Sequence, residues 1–228
     1  AGRIPVIAGT GSNSTAEAIH QTREAEAAGA DACLLVTPYY NRPTQEGLFR
    51  HFEAIAAATS TPIVLYNVPP RTGCDLAAVT VGRLAGIDGV VGIKDACGDA
   101  SRVTQILAAV KDQGVDNFFV LSGEDAQTMQ MMELGAVGTI SVTANVLPAK
   151  MSAFCSAYLN GDVAQAVSLD QQLQPVHDIL FVESSPTPAK WALSDMGRIP
   201  GGIRLPLIPL SAEHHEAVRQ RIQAAGNS

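Results

Sequence analysis

One lysine of the chain stands where an apolar run ends. Lys94 closes the run Val-Val-Gly-Ile-Lys, which has the character of a buried strand. Burial of an ammonium group is unfavourable and usually lowers its pKa, which leaves a neutral amine that can attack a ketone carbonyl. Lys94 is therefore a candidate nucleophile for a Schiff base. The residues alone leave an alternative open, in which Lys94 emerges from the strand end and pairs with Asp95 or Asp99.

Two further side chains could serve the same chemistry. Tyr66 ends the preceding apolar run, within Tyr-Asn-Val-Pro-Pro-Arg-Thr-Gly, and could exchange protons with a carbinolamine on Lys94. Its alternative role is packing, with the hydroxyl satisfied at the rim of a sheet. Arg71 lies in the turn that follows, and its planar fork suits a substrate carboxylate. The alternative for Arg71 is an ion pair on the surface.

Apolar runs that recur about 28 residues apart must position these side chains. The runs are continuous, as in parallel strands that are buried on both faces, and the segments between them have a helical apolar period. Such βα units predict a parallel sheet with right-handed crossovers. The predicted strands cover Ile4–Ala8, Ala32–Thr37, Pro62–Tyr66, Val90–Lys94, Phe118–Ser122 and Gly138–Thr143.

The polar residues at the end of every predicted strand decide between two α/β architectures. A doubly wound sheet concentrates its chemistry at one switch point, whereas a barrel distributes it over all strand ends, which favours the barrel here. A (β/α)8 barrel needs eight strands, and the sequence offers six. We therefore predict a partial TIM (β/α)8 barrel over residues 1–146. A C-terminal helical extension is predicted over residues 147–228.

The composition excludes several classes of partner. The net charge is −7, 46% of the residues are hydrophobic, and Lys and Arg are nowhere clustered, so we expect neither nucleic acid nor a membrane surface as a partner. No apolar run is long enough to span a bilayer. The four cysteines form no CxxC pair, which is typical of reduced thiols in a cytoplasmic protein without a metal site.

Six motifs in this order resemble the dihydrodipicolinate synthase family of pyruvate-dependent class I aldolases. The resemblance covers essentially the whole chain, and several long motifs in the right order are far more specific than one lysine at a strand end. The motifs are GRIPVIAGTGSNST, VTPYYNRPTQEGL, LYNVPPRTGCD, VGIKDA, LSGEDA and GTISVTANV.

The resemblance implies a lyase that condenses pyruvate with L-aspartate 4-semialdehyde in the diaminopimelate route to lysine. Lys94 matches the lysine that forms the imine with pyruvate, and Tyr66 matches the tyrosine that relays protons to it. Tyr40 matches the tyrosine that reaches into the site of a partner subunit. Arg71 matches the arginine that receives the carboxylate of the semialdehyde. The imine nitrogen is the electron sink, so no metal or organic cofactor is implied.

The resemblance also implies a pocket wall, an inhibitor site and an assembly. Gly123 and Ile140 match the backbone that lines the pyruvate pocket. Asn13, Glu17 and Tyr39 match part of the pocket between subunits where lysine binds as a feedback inhibitor in many members. The implied assembly is a homotetramer built as a dimer of dimers, with Tyr39 and Tyr40 at the tight interface.

The sequence departs from the family pattern at its beginning. The family carries two earlier βα units, and the second contains a Gly-Thr-Thr-Gly-Glu motif that is not found here. The resemblance thus implies a TIM (β/α)8 barrel without its first two βα units, with strands 3–8 in residues 1–146, in agreement with the strand count. It also keeps open a catalytically silent, truncated chain. N-acetylneuraminate lyases and 2-keto-3-deoxy acid aldolases of the same superfamily are the other alternative. They are not expected to carry the arginine of YNVPPRTG or the double tyrosine of TPYYNRP, and both are present.

Overall fold

A computed structural model describes residues 2–226 and contains one parallel sheet. The strand order in the sheet follows the chain, from β1 to β5 without a reversal. The strands Ile63–Asn67 and Val90–Asp95 are mostly buried, as continuous apolar runs predict. In the strands Ala32–Val36 and Phe119–Ser122, buried and half-buried residues alternate, and Ile7–Gly9 is largely exposed. The prediction of an α/β fold with a parallel sheet is confirmed. The strands are β1 Ile7–Gly9, β2 Ala32–Val36, β3 Ile63–Asn67, β4 Val90–Asp95 and β5 Phe119–Ser122.

Helices connect each strand to the next, as the helical period predicts. Ser14 and Thr44 cap the first two helices, since their hydroxyl groups accept hydrogen bonds from the amides of Glu17 and Gly47. The connecting helices are α1 Thr15–Ala27, α2 Gln45–Ala56, α3 Pro69–Thr72, α4 Ala78–Ala85 and α5 Arg102–Lys111.

Helical structure dominates the chain after β5. Two short 3-10 turns cover Asp125–Gln127 and Thr143–Asn145. The remaining helices are α6 Thr128–Glu133, α7 Pro148–Leu159, α8 Val163–Ile179, α9 Thr187–Asp195 and α10 Ala212–Gly226. No helix within residues 2–226 is long and apolar enough to cross a membrane.

The prediction of a sixth strand over residues 138–143 is wrong. This segment makes only one isolated bridge, and then its backbone leaves the extended conformation. Gly138 has φ +151°, which L side chains rarely adopt. The amides of Val142 and Thr143 donate to the Asp125 carboxylate, at 2.9 and 2.8 Å. The Asp125 side chain thus accepts hydrogen bonds from two amides that a strand would donate to its neighbour.

The chain divides into two compact units. One comprises the residues up to Gly123 together with Gln130–Gly138, and the other comprises Glu124–Met129 and the residues from Thr139 onward. The first unit has its core around the sheet, and the second packs an apolar cluster of its own between helices. The domain division after residue 146 stays a prediction.

A buried histidine in the first unit joins two helices. His51 of α2 is 5% exposed, and its Nδ1 lies 2.9 Å from the hydroxyl of Thr15 at the start of α1. Its ring contacts Phe52 edge-on, with the centroids 5.0 Å apart. Burial lowers the pKa of His51 to about 4. The imidazole is therefore held neutral in the folded chain.

We expect this histidine to make the fold sensitive to acid. The unfolded chain protonates His51 near pH 6.5 but the folded chain only near pH 4, so the stability that neutral His51 contributes is lost as the pH falls between these values. The expected loss is about 2 to 3 kcal/mol, measured by urea unfolding across this range. A His51→Gln variant should show a shallower dependence, and an unchanged one would contradict this account. Burial also lowers the pKa of His177, so this ring contributes to the dependence in the same direction.

Candidate active site

Lys94 and Tyr66 lie side by side at the ends of two neighbouring strands. The register of β3 and β4 shifts by one residue between Ile63 and Val64, and beyond this irregularity Tyr66 stands opposite Lys94. Paired residues of adjacent strands point to the same face of the sheet. Nζ of Lys94 accordingly lies 4.3 Å from the centroid of the Tyr66 ring. Both side chains are half-buried, so a small substrate can reach them.

Gly123 leaves room for the side chain of Lys94. It directly follows β5, and its amide donates to the carbonyl oxygen of Asp95, at 2.7 Å. A Cβ atom at this position would come within 2.9 Å of Cε of Lys94 and 2.7 Å of Cβ of Ala96. Glycine is therefore the residue that lets the lysine stem lie here. Ile140, the other residue predicted for the pocket wall, is half-buried and belongs to the second unit.

A polar network on the opposite face of the same strands was missed by the sequence analysis. The amide nitrogen of Asn67 donates to Asp75 at 2.8 Å and to Asp95 at 3.0 Å, and its oxygen accepts from the amide of Leu76. Arg102 donates to Asp75 at 3.0 Å, and its Nε lies 3.5 Å from Asp95. These contacts tie the loop after β3 to the ends of both strands.

Asp95 lies on the face of β4 opposite Lys94, which argues against the alternative that the two residues pair. Adjacent strand residues point to opposite faces, and the Asp95 carboxylate accepts from Asn67 and from the amide of Cys97. Asp99 accepts from the amide of Ser101 in the next turn. The sequence did carry a signal for this network. At the ends of β3 and β4 a long side chain, Tyr66 or Lys94, is followed directly by Asn67 or Asp95.

Cys97 lies beside this network and is not a ready nucleophile. Burial, followed by the hydrogen bond and the charge of Asp95, raises the pKa of its thiol to about 12. Thiolate is the reactive form of cysteine, and at neutral pH almost none is present here. The nearby thiol therefore does not compete with the lysine amine for an electrophilic substrate.

The loop that carries Arg71 is held by a second loop. Arg71 is exposed in α3, and Gly73 ends this helix with φ +75°. The amide of Tyr40 donates to the carbonyl oxygen of Thr72, at 3.3 Å, and Nε of Arg42 donates to that of Gly73, at 2.8 Å. The guanidinium of Arg71 is thus presented to solvent on a fixed turn.

Tyr40 and Arg42 have an unusual backbone conformation. Their φ values are +72° and +47°, although neither is glycine. Such conformations persist only where the surroundings enforce them, and they cluster at functional sites. Tyr40 is 90% exposed, and its neighbour Tyr39 is also exposed. Two adjacent exposed aromatic side chains are typical of a surface that contacts a protein partner.

The three residues predicted for an inhibitor pocket lie in or next to two contacting loops. The side chain of Asn13 donates to the carbonyl oxygen of Tyr39 at 3.2 Å, and Asn41 donates back to the carbonyl oxygen of Asn13 at 2.8 Å. Glu17 lies in the first turn of α1 and accepts from the hydroxyl of Ser12, at 2.7 Å. The loop after β1 and the loop after β2 are therefore joined.

Comparison with known proteins identifies the relatives of this chain. The model of the dihydrodipicolinate synthetase family matches residues 1–225. The chain is 54% identical over 226 residues to the 4-hydroxy-tetrahydrodipicolinate synthase of Pseudomonas savastanoi pv. phaseolicola, covering 99% of this chain and 76% of the relative.

Solved structures agree with this match. The chloride-inhibited dihydrodipicolinate synthase from Acinetobacter baumannii, complexed with pyruvate, has a TM-score of 0.94 and 51% identity over 99% of this chain and 76% of that one. The enzyme from Cyanidioschyzon merolae with lysine bound has a TM-score of 0.91 and 36% identity, over 97% and 74%. The chain belongs to the dihydrodipicolinate synthetase family.

Proposed function

We propose that the chain condenses pyruvate with L-aspartate 4-semialdehyde to form 4-hydroxy-tetrahydrodipicolinate, as a lyase of the diaminopimelate route to lysine. The observation that carries this proposal is the contact of Lys94 with Tyr66 on neighbouring strand ends, 4.3 Å from nitrogen to ring centroid. Membership of the family adds the substrates, because the relative from Pseudomonas savastanoi is named for this reaction and the Acinetobacter baumannii structure holds pyruvate.

Lys94 begins the proposed reaction as a neutral amine. It adds to the ketone carbon of pyruvate, and loss of water from the carbinolamine gives an imine. The methyl group then loses a proton to form an enamine, whose carbon attacks the aldehyde, and the aldehyde oxygen takes up a proton. Finally the amine of the second substrate attacks the imine carbon, closes the ring and releases Lys94. Throughout, the imine nitrogen accepts the electron pair, so the proposed chemistry uses no metal or organic cofactor.

Tyr66 supplies protons in this scheme. A phenol beside the nitrogen can give a proton to the departing hydroxyl of the carbinolamine and later take one from the attacking amine. Replacement of Tyr66 by phenylalanine keeps the ring against Lys94 but removes this hydroxyl. We expect turnover to fall by about 10² to 10⁴-fold, measured as kcat with both substrates. A variant with unchanged kcat would rule out Tyr66 as the proton relay.

The remaining site residues have proposed roles that follow from their positions. Arg71, exposed on α3, binds the carboxylate of the semialdehyde as a bidentate fork. Gly123 lines the pyruvate pocket, and its close approach to the lysine stem supports this role. The role of Ile140 in the pocket wall stays a prediction from the family resemblance. Tyr40, which projects into solvent, completes the proton relay in the site of a partner subunit.

We propose that Tyr40 enters the site of its partner subunit within a homotetramer built as a dimer of dimers. The exposed rings of Tyr39 and Tyr40 support a protein contact on this face. Asn13, Glu17 and Tyr39 would then bind lysine as an inhibitor between subunits. The lysine bound in the structure from Cyanidioschyzon merolae supports this assignment by family likeness.

The sheet is proposed to be one arc of a (β/α)8 barrel. Its strands follow one another in chain order without a reversal, whereas doubly wound sheets reverse their order at a switch point. In this proposal two further βα units, the second with a Gly-Thr-Thr-Gly-Glu motif, precede the arc. The helices after residue 146 form a C-terminal extension. We place the enzyme in the cytoplasm, where reduced thiols such as its four free cysteines persist.

Borohydride trapping tests the proposed nucleophile. Reduction of the chain in the presence of pyruvate should leave a stable pyruvyl adduct, and peptide mass mapping should place it on Lys94. Lys111 and Lys190 serve as internal controls in the same digest. Absence of an adduct on Lys94 would contradict a Schiff-base mechanism in this chain.

Substrate comparison separates the proposed reaction from its alternatives. Aspartate semialdehyde should be turned over with pyruvate, while N-acetylneuraminate and 2-keto-3-deoxy sugar acids should not be cleaved. The reverse preference would make the chain a sugar-acid aldolase. Adduct formation without any turnover would indicate a silent chain, and a chain extended by a Gly-Thr-Thr-Gly-Glu segment should then regain activity.

A further inference from the structure

A short stretch of the loop after β3 forms its backbone hydrogen bonds with side chains of other elements. The stretch covers residues 75–77, between α3 and α4. Backbone groups outside helices and strands need other partners, and side chains can supply them. Two carbonyl oxygens and two amides of these three residues are paired with side chains from α2, β3 and α5. Three elements therefore hold the loop at one place.

Gln45 supplies two of these partners. It is the first residue of α2, and its side-chain nitrogen donates to the carbonyl oxygen of Asp75, at 2.7 Å. Its side-chain oxygen accepts from the amide of Ala77 at 3.0 Å and from the hydroxyl of Thr80 at 2.6 Å. One amide side chain thus joins the end of the loop to the start of α4.

Arg102 supplies a third partner. It is the first residue of α5, its side chain is 14% exposed, and Nη2 donates to the carbonyl oxygen of Leu76, at 2.7 Å. Nη1 donates to the Asp75 carboxylate at 3.0 Å, and Nε lies 3.5 Å from the Asp95 carboxylate. A guanidinium that bonds several acceptors at once fixes their relative position. Because Asp95 directly follows Lys94, Arg102 connects the loop to the strand end that carries the proposed nucleophile.

Asn67 supplies the fourth partner and closes the loop. Its side-chain oxygen accepts from the amide of Leu76 at 3.0 Å, and its nitrogen donates to the Asp75 carboxylate at 2.8 Å. Residues 68–74 therefore lie between two hydrogen-bonded ends, and Arg71 is at their middle. Fixing both ends of a short loop restricts the conformations open to the residues between them.

We propose that Gln45 and Arg102 are positioning residues for the second substrate. They hold the base of the loop, so that Arg71 stays in place to bind a carboxylate while Lys94 carries the imine. This inference rests on the proposed function, which assigns the carboxylate of aspartate semialdehyde to Arg71. Both residues act through the loop. Loss of either anchor should therefore impair the use of the semialdehyde and leave imine formation with pyruvate intact.

Hydrogen exchange tests whether the two side chains hold the loop, and it needs no activity. In Gln45→Ala and in Arg102→Lys we expect the amides of residues 68–77 to exchange about tenfold faster than in the native chain. Lysine keeps a positive charge but lacks the planar fork that reaches two acceptors together. Exchange of α1 should stay unchanged in both variants. Gln45 is exposed, so its variant serves if Arg102→Lys does not fold.

Two matched controls accompany these variants. Gln105→Ala removes an exposed amide side chain from α5. Arg50→Lys changes an exposed arginine that pairs with Glu46 and Glu53 of its own helix. Both controls should exchange and react like the native chain.

Steady-state kinetics test whether the hold on the loop serves the second substrate. With saturating pyruvate, we expect kcat/KM for aspartate semialdehyde to fall about 10 to 10²-fold in both loop variants, mainly through a higher KM. The rate at which pyruvate alone forms the borohydride-trapped adduct should match that of the native chain. A purely structural role would lower both rates together.

Three outcomes would overturn the inference. Unchanged exchange of residues 68–77 in the folded variants would mean that the loop keeps its place without these anchors. Faster exchange with unchanged use of the semialdehyde would mean that the anchors serve stability alone. An equal loss of adduct formation and turnover would mean that they support the whole site. Failure of the proposed function would instead appear in the native chain, as the absence of an adduct on Lys94.

Discussion

Replacement of Lys94 by arginine is expected to lower kcat by more than about 10³-fold and to abolish the borohydride-trapped adduct, since loss of a covalent nucleophile has effects of this order or larger. Arginine keeps the positive charge beside the Tyr66 ring, 4.3 Å from Nζ in the native chain. Its guanidinium stays protonated, however, and cannot attack a ketone. The variant therefore separates the nucleophilic role of Lys94 from a merely electrostatic one.

The matched control for this experiment is Lys111→Arg. Lys111 is exposed in the last turn of α5, so its replacement should change neither kcat nor the adduct. Circular dichroism of both variants should match that of the native chain. Persistent turnover in the folded Lys94 variant would assign the chemistry to another residue.

Replacement of Asp95 by alanine is expected to destabilise the fold by about 3 to 5 kcal/mol, as measured by urea unfolding. Asp95 is 1% exposed and accepts from the side chain of Asn67 and the amide of Cys97. Arg102, which is mostly buried, has its Nε 3.5 Å from this carboxylate. Alanine would remove the side-chain acceptor of the Cys97 amide, one of the two acceptors of Asn67, and the negative charge nearest Nε of the buried Arg102 guanidinium.

Asp88 provides the control for the stability measurement. It is exposed just before β4, and Asp88→Ala should change the free energy of unfolding by less than about 0.5 kcal/mol. The conservative Asp95→Asn variant should lie between these limits, because it keeps an acceptor oxygen but loses the charge. Equal stability of the Asp95→Ala and Asp88→Ala variants would show that the network contributes nothing.

The periodicity of the sequence was sufficient for most of the fold. Continuous apolar runs predicted all five strands, and the helical periods between them predicted the connecting helices except α3, whose Arg71 was expected in a turn. Burial on both faces accounts for the apolar runs of β3 and β4, while β2 and β5 alternate between buried and half-buried residues. The segment 138–143 carried the same apolar pattern but does not form a strand. Its amides bind the carboxylate of Asp125, seventeen residues earlier, and no local pattern encodes such a distant contact.

The candidate site was predictable to a similar extent. Lys94 and Tyr66 could be placed together because strand ends of a parallel sheet meet at one edge, and the structure brings them into contact. The network of Asn67, Asp95 and Arg102 was not predicted. Alternation along the strands could have placed Asn67 and Asp95 on the face opposite Tyr66 and Lys94, but no local pattern indicates that Arg102, on α5, reaches them. The roles of Tyr40 and Arg71 came from family resemblance and stay predictions.

The small irregularity between β3 and β4 decides which side chains can react with each other. Tyr66 comes three residues after Ile63 in the sequence. Lys94 comes four residues after Val90, the residue that pairs with Ile63. Without the additional residue, Tyr66 would stand opposite Ile93, and the phenol and the amine would project from opposite sides of the sheet. The proposed reactive pair therefore depends on a one-residue register shift between Ile63 and Val64, at the buried beginning of the strands. A deletion there should silence the enzyme while every side chain of the site remains present.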